Sequence, residues 1–178
     1  MKLLSFNCRG LASSHKKSSL KRLVDSTKPD VIMLQETLGD RGCVKKSLEG
    51  LCLGWRFDTL DVRGRSGGLT IGWRSRACRC ENIWGFDSGM GVDLFSEELG
   101  RVMTMINIYG PYLNRVPFWN TLLNKSFIKD KPVILGEDLN LFLGVAEVQG
   151  PKAIPDSLAV FLSTPLFGMV WWTLHRRS

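Results

Sequence analysis

The sequence has little histidine and no regular cysteine pattern. Of 178 residues, two are histidine and five are cysteine, and no two cysteines form a CxxC pair. An odd number of unpaired cysteines fits neither a disulfide framework nor a zinc site, whose ligands stand at short characteristic spacings. A reducing compartment fits this composition best.

Long hydrophobic runs are also missing. None approaches the roughly 20 apolar residues that a membrane-spanning helix needs. The first apolar run begins after Lys2 and turns polar at Asn7, which is too short for the core of a signal peptide. With no internal repeat and no linker-like stretch, the sequence predicts one soluble intracellular domain without membrane association. The nucleus is a candidate location, and the sequence indicates no protein partner.

Acidic residues are outnumbered by basic ones. The chain has 24 Lys and Arg against 17 Asp and Glu, a formal charge of +7. Such a surface attracts polyanions before any specific contact forms. Nucleic acid, and DNA first, is therefore the expected partner, although moderately basic domains are common and composition alone carries modest weight.

Short apolar runs that end in glycine, proline or polar residues predict buried strands. They fall at residues 3–6, 31–34, 102–109 and 132–135, the last ending at Gly136, and a hairpin is predicted from 57–62 and 69–73. Helical patterns are predicted at 14–27, capped by Ser14 and ended by Pro29, within 43–53, from Pro117 onward, and after Asp156. Predicted strands and helices are therefore mixed along the chain.

Four predicted strands finish in polar residues that carry oxygen or amide groups. A single such residue is usually a turn former, but layered sheets bring distant strand ends to one rim. Oxygen ligands without His or Cys suit Mg²⁺ or Mn²⁺, so the two carboxylates are candidate metal ligands. Amides orient a carboxylate or a phosphate, and a phenol donates to a phosphate oxygen. The residues are Asn7, Glu36, Asn107, Tyr109, Asp138 and Asn140.

Five short motifs resemble those of the endonuclease/exonuclease/phosphatase (DNase I-like) family, and they stand in the family's order. The first, in this wording, is similar to the endonuclease domain of plant LINE-type, non-LTR retrotransposons. None is specific alone, but five in order over residues 7 to 140 make a strong signal. They are NCRGL at 7–11, LQET at 34–37, SGGL at 66–69, NIYGP at 107–111 and GEDLN at 136–140.

The resemblance implies a four-layer αββα sandwich and Mg²⁺-dependent or Mn²⁺-dependent cleavage of DNA phosphodiesters. Glu36 would hold the metal with help from Asn7. Asp138 would orient or deprotonate the attacking water, Asn140 would bind a phosphate oxygen, and Tyr109 would stabilise the developing charge. Substrate contacts are expected from two further residues, Ser66 and Asn107.

The chain departs from the family pattern in two places. Glu137 stands where a small residue is usual, and the family's later Asp-His segment has no counterpart before Ser178. Residues 1–178 are therefore interpreted as one partial domain, with 167–178 as a divergent tail. Impaired catalysis and marginal stability or self-association are expected. The alternatives are a non-catalytic, weak nucleic-acid-binding remnant and a phosphatase acting on a small phosphate ester.

Overall fold

The described part of the chain contains eight strands and three helices. The computed structural model describes residues 1–61, 67–86, 89–111, 114–123 and 132–138. The strands are β1 Leu3–Asn7, β2 Val31–Gln35, β3 Trp55–Leu60, β4 Leu69–Arg74, β5 Cys78–Phe86, β6 Gly89–Ser96, β7 Arg101–Tyr109 and β8 Val133–Asp138. The helices are α1 Ser14–Thr27, α2 Arg41–Leu51 and α3 Arg115–Leu123.

The strands form two mixed sheets of four. The first sheet has the order β1-β2-β4-β3 and the second β5-β6-β7-β8. Each contains one parallel pair, β1 with β2 and β7 with β8, while the other neighbours are antiparallel. This confirms the α/β fold class expected from the family resemblance.

Strand β2 is buried on both faces, which explains its unbroken apolar run. Val31 and Met33 face the second sheet and pack with Met103 and Met105 of β7. The intervening residues, Ile32 and Leu34, face outward and pack with the buried residues of α1 and α2, which are Leu20, Val24, Val44 and Leu48. Alternate residues of one strand therefore fill two separate cores.

The helix at residues 14–27 has the predicted bounds, but its caps differ from the prediction. Ser13, not Ser14, is the N-cap, because its backbone is extended and its hydroxyl accepts from the Lys16 amide. The helix ends at Thr27, and its C-cap Lys28 adopts a left-handed conformation before Pro29 is reached. The predicted helix after Asp156 lies outside the described residues.

Strand predictions were mostly confirmed. The hairpin of β3 and β4 is antiparallel with Leu60 opposite Leu69. β8 runs through Gly136 to Asp138 rather than stopping at the glycine. β5 and β6 were not predicted.

Across the described ranges, no helix is long and apolar enough to cross a membrane.

Candidate functional site

The carboxyl ends of four strands meet at one rim of the sandwich. In the first sheet Asn7 pairs with Gln35, which precedes Glu36. In the second sheet Tyr109 pairs with Asp138. The two sheets are joined at this rim because the Tyr109 hydroxyl donates to the Glu36 carboxylate at 3.0 Å. The fold thus brings residues from four distant segments to one place.

Glu36 lies at the centre of this rim. Its Oε1 accepts hydrogen bonds from Asn7 Nδ2 and Tyr109 Oη, both at 3.0 Å. No hydrogen bond from the described residues reaches Oε2. Within the described part of the chain, one oxygen of the half-buried carboxylate is therefore held in place while the other has lone pairs for a further ligand.

The donor set around Glu36 suits a hard cation. Mg²⁺ typically takes one or two protein carboxylates and completes its shell with water and substrate phosphate. Within the described ranges no group of three or more His, Cys, Asp or Glu side chains is positioned to enclose a metal. A carboxylate with one oxygen not bonded by the described residues fits an open divalent-metal site better than a closed structural one.

The backbone at Glu36 is left-handed, with φ of 51°. Non-glycine residues rarely adopt this conformation, and it persists where surrounding structure imposes it. Here the adjoining loops impose it: the Gly10 amide donates to the Glu36 carbonyl at 2.7 Å, and the Thr37 amide donates to the Gly68 carbonyl at 3.2 Å. The carboxylate is thus aimed by main-chain hydrogen bonds from two sides.

Replacing Gly68 by alanine tests this support. Gly68 has φ of +73°, and a Cβ there would lie 2.4 Å from Thr37 Oγ1. We expect Gly68→Ala to lower the free energy of unfolding by about 1–3 kcal/mol, measured by urea denaturation. The control is Gly100→Ala, which shares a positive φ of +62° but has open space around the new methyl group. Equal losses in both variants would contradict a specific clash at Thr37.

Asn7 supports the carboxylate through its amide group. Its Oδ1 accepts from the Arg9 amide at 2.9 Å, which turns Nδ2 toward Glu36. A backbone amide can only donate, so the orientation of the side-chain amide follows from chemistry. In this orientation Asn7 would contribute to metal binding indirectly, by holding the Glu36 carboxylate in place.

Asn107 was expected to contact substrate, but its buried position does not allow that contact. The side chain is fully buried. Its Nδ2 donates to the carbonyls of Leu34 and Thr70, both at 2.9 Å, and its Oδ1 accepts from Gln35 Nε2 at 2.6 Å. Both amide hydrogens are used inside the protein, so none remains for a substrate.

Gln35 and Ser5 were missed by the sequence analysis. Gln35 is fully buried between the sheets and also donates to Ser5 Oγ at 3.0 Å. A signal was present, because strand alternation places Gln35 on the same face as Val31 and Met33. A polar residue at the end of an apolar inward face needs a partner.

Three candidate residues lie partly or wholly outside the described structure. The backbone of Asp138 ends β8 opposite Tyr109, but its side chain is not described. Asn140 and Ser66 lie outside the described residues. Their site roles therefore remain predictions.

Cys8 follows Asn7 but does not add a thiolate to the site. Burial is the main cause that raises the pKa of its thiol to about 12, with a smaller increase from Glu36 and an opposing effect of Lys16. The thiolate is the form that binds metals and attacks electrophiles. At neutral pH Cys8 is therefore a neutral core residue.

Comparison with known proteins identifies the family and the fold. The model of the "Endonuclease/Exonuclease/phosphatase family" matches residues 4–177. The human nocturnin catalytic domain aligns with a TM-score of 0.63 at 13% identity, over 80% of this chain and 64% of that one. A humanised D. rerio TDP2 aligns with a TM-score of 0.63 at 21% identity, over 86% and 72%.

A Bacteroides thetaiotaomicron mannosyl-6-phosphatase aligns with a TM-score of 0.56 at 13% identity, over 79% of this chain and 64% of that one. At these identities the structural likeness shows the fold. The chain spans 64% of the length of the nocturnin domain and of the mannosyl-6-phosphatase. Comparison with curated proteins gives no sequence match.

Proposed function

The chain belongs to the endonuclease/exonuclease/phosphatase family, whose members are hydrolases of phosphodiesters and phosphate esters, and from this we propose that it cleaves phosphodiester bonds of DNA with Mg²⁺ or Mn²⁺. The observation that carries the proposal is the Glu36 carboxylate, with Oε1 held by Asn7 and Tyr109 and Oε2 without a hydrogen bond from the described residues. The likeness of the NCRGL motif to plant LINE-type endonucleases supports DNA as the substrate. We also propose that the protein acts inside the cell, for example in the nucleus.

Each rim residue has a role in this proposal. A bound divalent cation would polarise the phosphoryl oxygen and stabilise the leaving oxygen. Glu36 would hold that cation, and Asn7 would keep the carboxylate oriented. Asp138 would orient or deprotonate the attacking water, Asn140 would bind a phosphate oxygen, and Ser66 would contact the substrate.

Tyr109 would also keep Glu36 oriented, and this role can be tested by removing its hydroxyl group. Its hydroxyl donates to Glu36 Oε1 at 3.0 Å, and a hydrogen bond to a charged group contributes about 1.5–3 kcal/mol. Because about 1.4 kcal/mol corresponds to a tenfold rate change, Tyr109→Phe is expected to lower kcat by about 10- to 100-fold. Steady-state cleavage of a labelled duplex measures this effect. A wild-type kcat in a folded variant would show that the hydroxyl is not needed.

Basic residues beside the rim favour a polyanionic substrate. Lys16 Nζ donates to the Arg9 carbonyl, two residues beyond Asn7. Lys17 follows in the first turn of α1, and the Arg9 side chain is exposed. These cations stand at the end of the first sheet that holds Glu36, where they would meet phosphates flanking the scissile bond.

The salt dependence of DNA binding tests this placement. Each neutralised phosphate contributes about 0.9 to the slope of log affinity against log salt. Lys17→Ala is therefore expected to reduce that slope by about one, measured by fluorescence anisotropy with a labelled duplex. The control Arg101→Ala removes an exposed cation from the opposite end of β7. Equal slopes for Lys17→Ala and the wild type would argue against the contact.

A supercoiled plasmid is the first substrate to test. With Mg²⁺ we expect conversion of the plasmid to the nicked form, and chelation of the metal should stop this conversion. A small phosphate ester assayed in parallel tests the alternative of a phosphatase, which is supported by the mannosyl-6-phosphatase among the structural neighbours. Salt-sensitive DNA retention without turnover of either substrate would instead favour a non-catalytic binder.

A further inference from the structure

We propose that Gln35 and Asn107 form a bridge between the two sheets that positions Glu36 against Tyr109. We define this pair as the amide bridge. It is expected to act on turnover rather than on substrate binding, so both members are positioning residues. The effect on turnover rests on the proposed function, whereas the effect on geometry does not.

The orientation of both amides follows from their partners. Asn107 Nδ2 uses its two hydrogens on the carbonyls of Leu34 and Thr70. Its Oδ1 is therefore turned toward Gln35, and Gln35 Nε2 must be the donor in the 2.6 Å contact. The side chain of one residue in the second sheet is thus hydrogen-bonded to three residues of the first.

The bridge lies next to the site residues on both strands. Gln35 directly precedes Glu36, and Asn107 precedes Tyr109 by two residues on the same face of β7. Two residues along a strand span about 6.6–6.8 Å. The bridge is therefore one inward position away from the hydrogen bond between Tyr109 and Glu36.

Further from the rim, the contact between β2 and β7 is apolar. Met33 and Met105 occupy the preceding inward positions and belong to the core between the sheets. Apolar contacts are non-directional, whereas hydrogen bonds weaken steeply when their angle or distance changes. The hydrogen bonds between Asn107 and the first sheet are directional, so among the described residues they limit how far one sheet slides along the other, and they lie where the site needs that precision.

Burying the Gln35 side chain is unfavourable for the stability of the fold. Gln35 Oε1 is buried and has no hydrogen-bond partner among the described residues. A buried polar atom without a partner is unfavourable for folding. An apolar residue would avoid this cost, which indicates that the value of Gln35 lies in the position it imposes.

Gln35→Met is the variant that tests the bridge. It removes the donor to Asn107 and the unpartnered oxygen, while the bonds from Asn107 to Leu34 and Thr70 remain. We expect kcat to fall by about 10- to 100-fold, as for other residues that orient the residues in direct contact with a metal or substrate, with KM within twofold of the wild type. Should Gln35→Met not fold, Gln35→Leu makes the same test.

The matched control is Thr104→Val. Thr104 is also fully buried on β7 and donates to Asp93 at 2.6 Å, but it lies five residues before Tyr109 and on the opposite face of the strand from Asn107. It should lower stability and leave kcat unchanged. A loss of kcat in Thr104→Val as large as in Gln35→Met would overturn the proposal, because general destabilisation would then explain both.

A double variant separates positioning from an independent effect. If Gln35 acts through Tyr109, adding Gln35→Met to Tyr109→Phe should lower kcat no further. Fully multiplicative losses would overturn the proposal. A crystal structure of Gln35→Met gives a readout independent of substrate: the distance from Tyr109 Oη to Glu36 Oε1 should exceed hydrogen-bonding range, and an unchanged distance would overturn the bridge even if no phosphodiester is cleaved.

Discussion

Glu36→Gln is expected to reduce Mg²⁺-dependent plasmid cleavage by about 10³-fold or more. A bound metal contributes several kcal/mol to stabilising the transition-state charge, and about 4 kcal/mol corresponds to 10³ in rate. The amide keeps the size of the carboxylate and an oxygen that accepts from Tyr109, so folding should be little affected. Loss of the negative charge, rather than loss of shape, would be the cause.

The experiment compares initial nicking rates across a Mg²⁺ titration. The matched control is Glu81→Gln, which makes the same chemical change at an exposed position of β5. That variant should cleave like the wild type. If Glu36→Gln also cleaved at the wild-type rate, the proposed metal site would have to be abandoned.

Asp138→Asn is expected to lower kcat by about 10²- to 10⁴-fold, the range for loss of a general base. The support is that β8 ends at Asp138 directly opposite Tyr109, which itself contacts Glu36. The amide of asparagine cannot take the proton of the attacking water, which is why turnover should fall.

Steady-state cleavage of a labelled duplex measures this effect. Asp25→Asn is the control, because Asp25 is an exposed carboxylate paired with Lys21 on the surface of α1. Such surface pairs contribute little, so the kcat of this variant should match the wild type. A wild-type kcat in a folded Asp138→Asn variant would show that another group activates the water.

The strands that could be predicted are those whose burial gives the local sequence a recognisable pattern of apolar residues. β2 is buried on both faces and reads as a continuous apolar run. β6 was missed because Gly89, Gly91 and Asp93 interrupt its pattern. A Cβ on Gly91 would lie 2.3 Å from the ring of Trp84 on β5. Glycine there makes room for a cross-strand aromatic ring, which local sequence does not reveal.

The site was predictable in part for the same reason. Glu36 and Tyr109 stand at the ends of apolar runs, so their place on the rim followed from the strand pattern. The contact of Gln35 with Asn107 did not, because it depends on how two sheets with no shared hydrogen-bond ladder face each other. Asn107 was consequently expected to meet the substrate, although its side chain is buried inside the protein.

Main-chain anchoring of the Glu36 turn leaves the neighbouring side chains open to exchange. The bonds from Gly10 to Glu36 and from Thr37 to Gly68 join backbone atoms only. Arg9 and Leu38, both exposed beside this turn, take no part in them through their side chains. Both backbones are left-handed, with φ of 46° and 45°, so exchange to Asn, Asp or Gly, which adopt this conformation most readily, should alter sequence preference without dismantling the acidic centre.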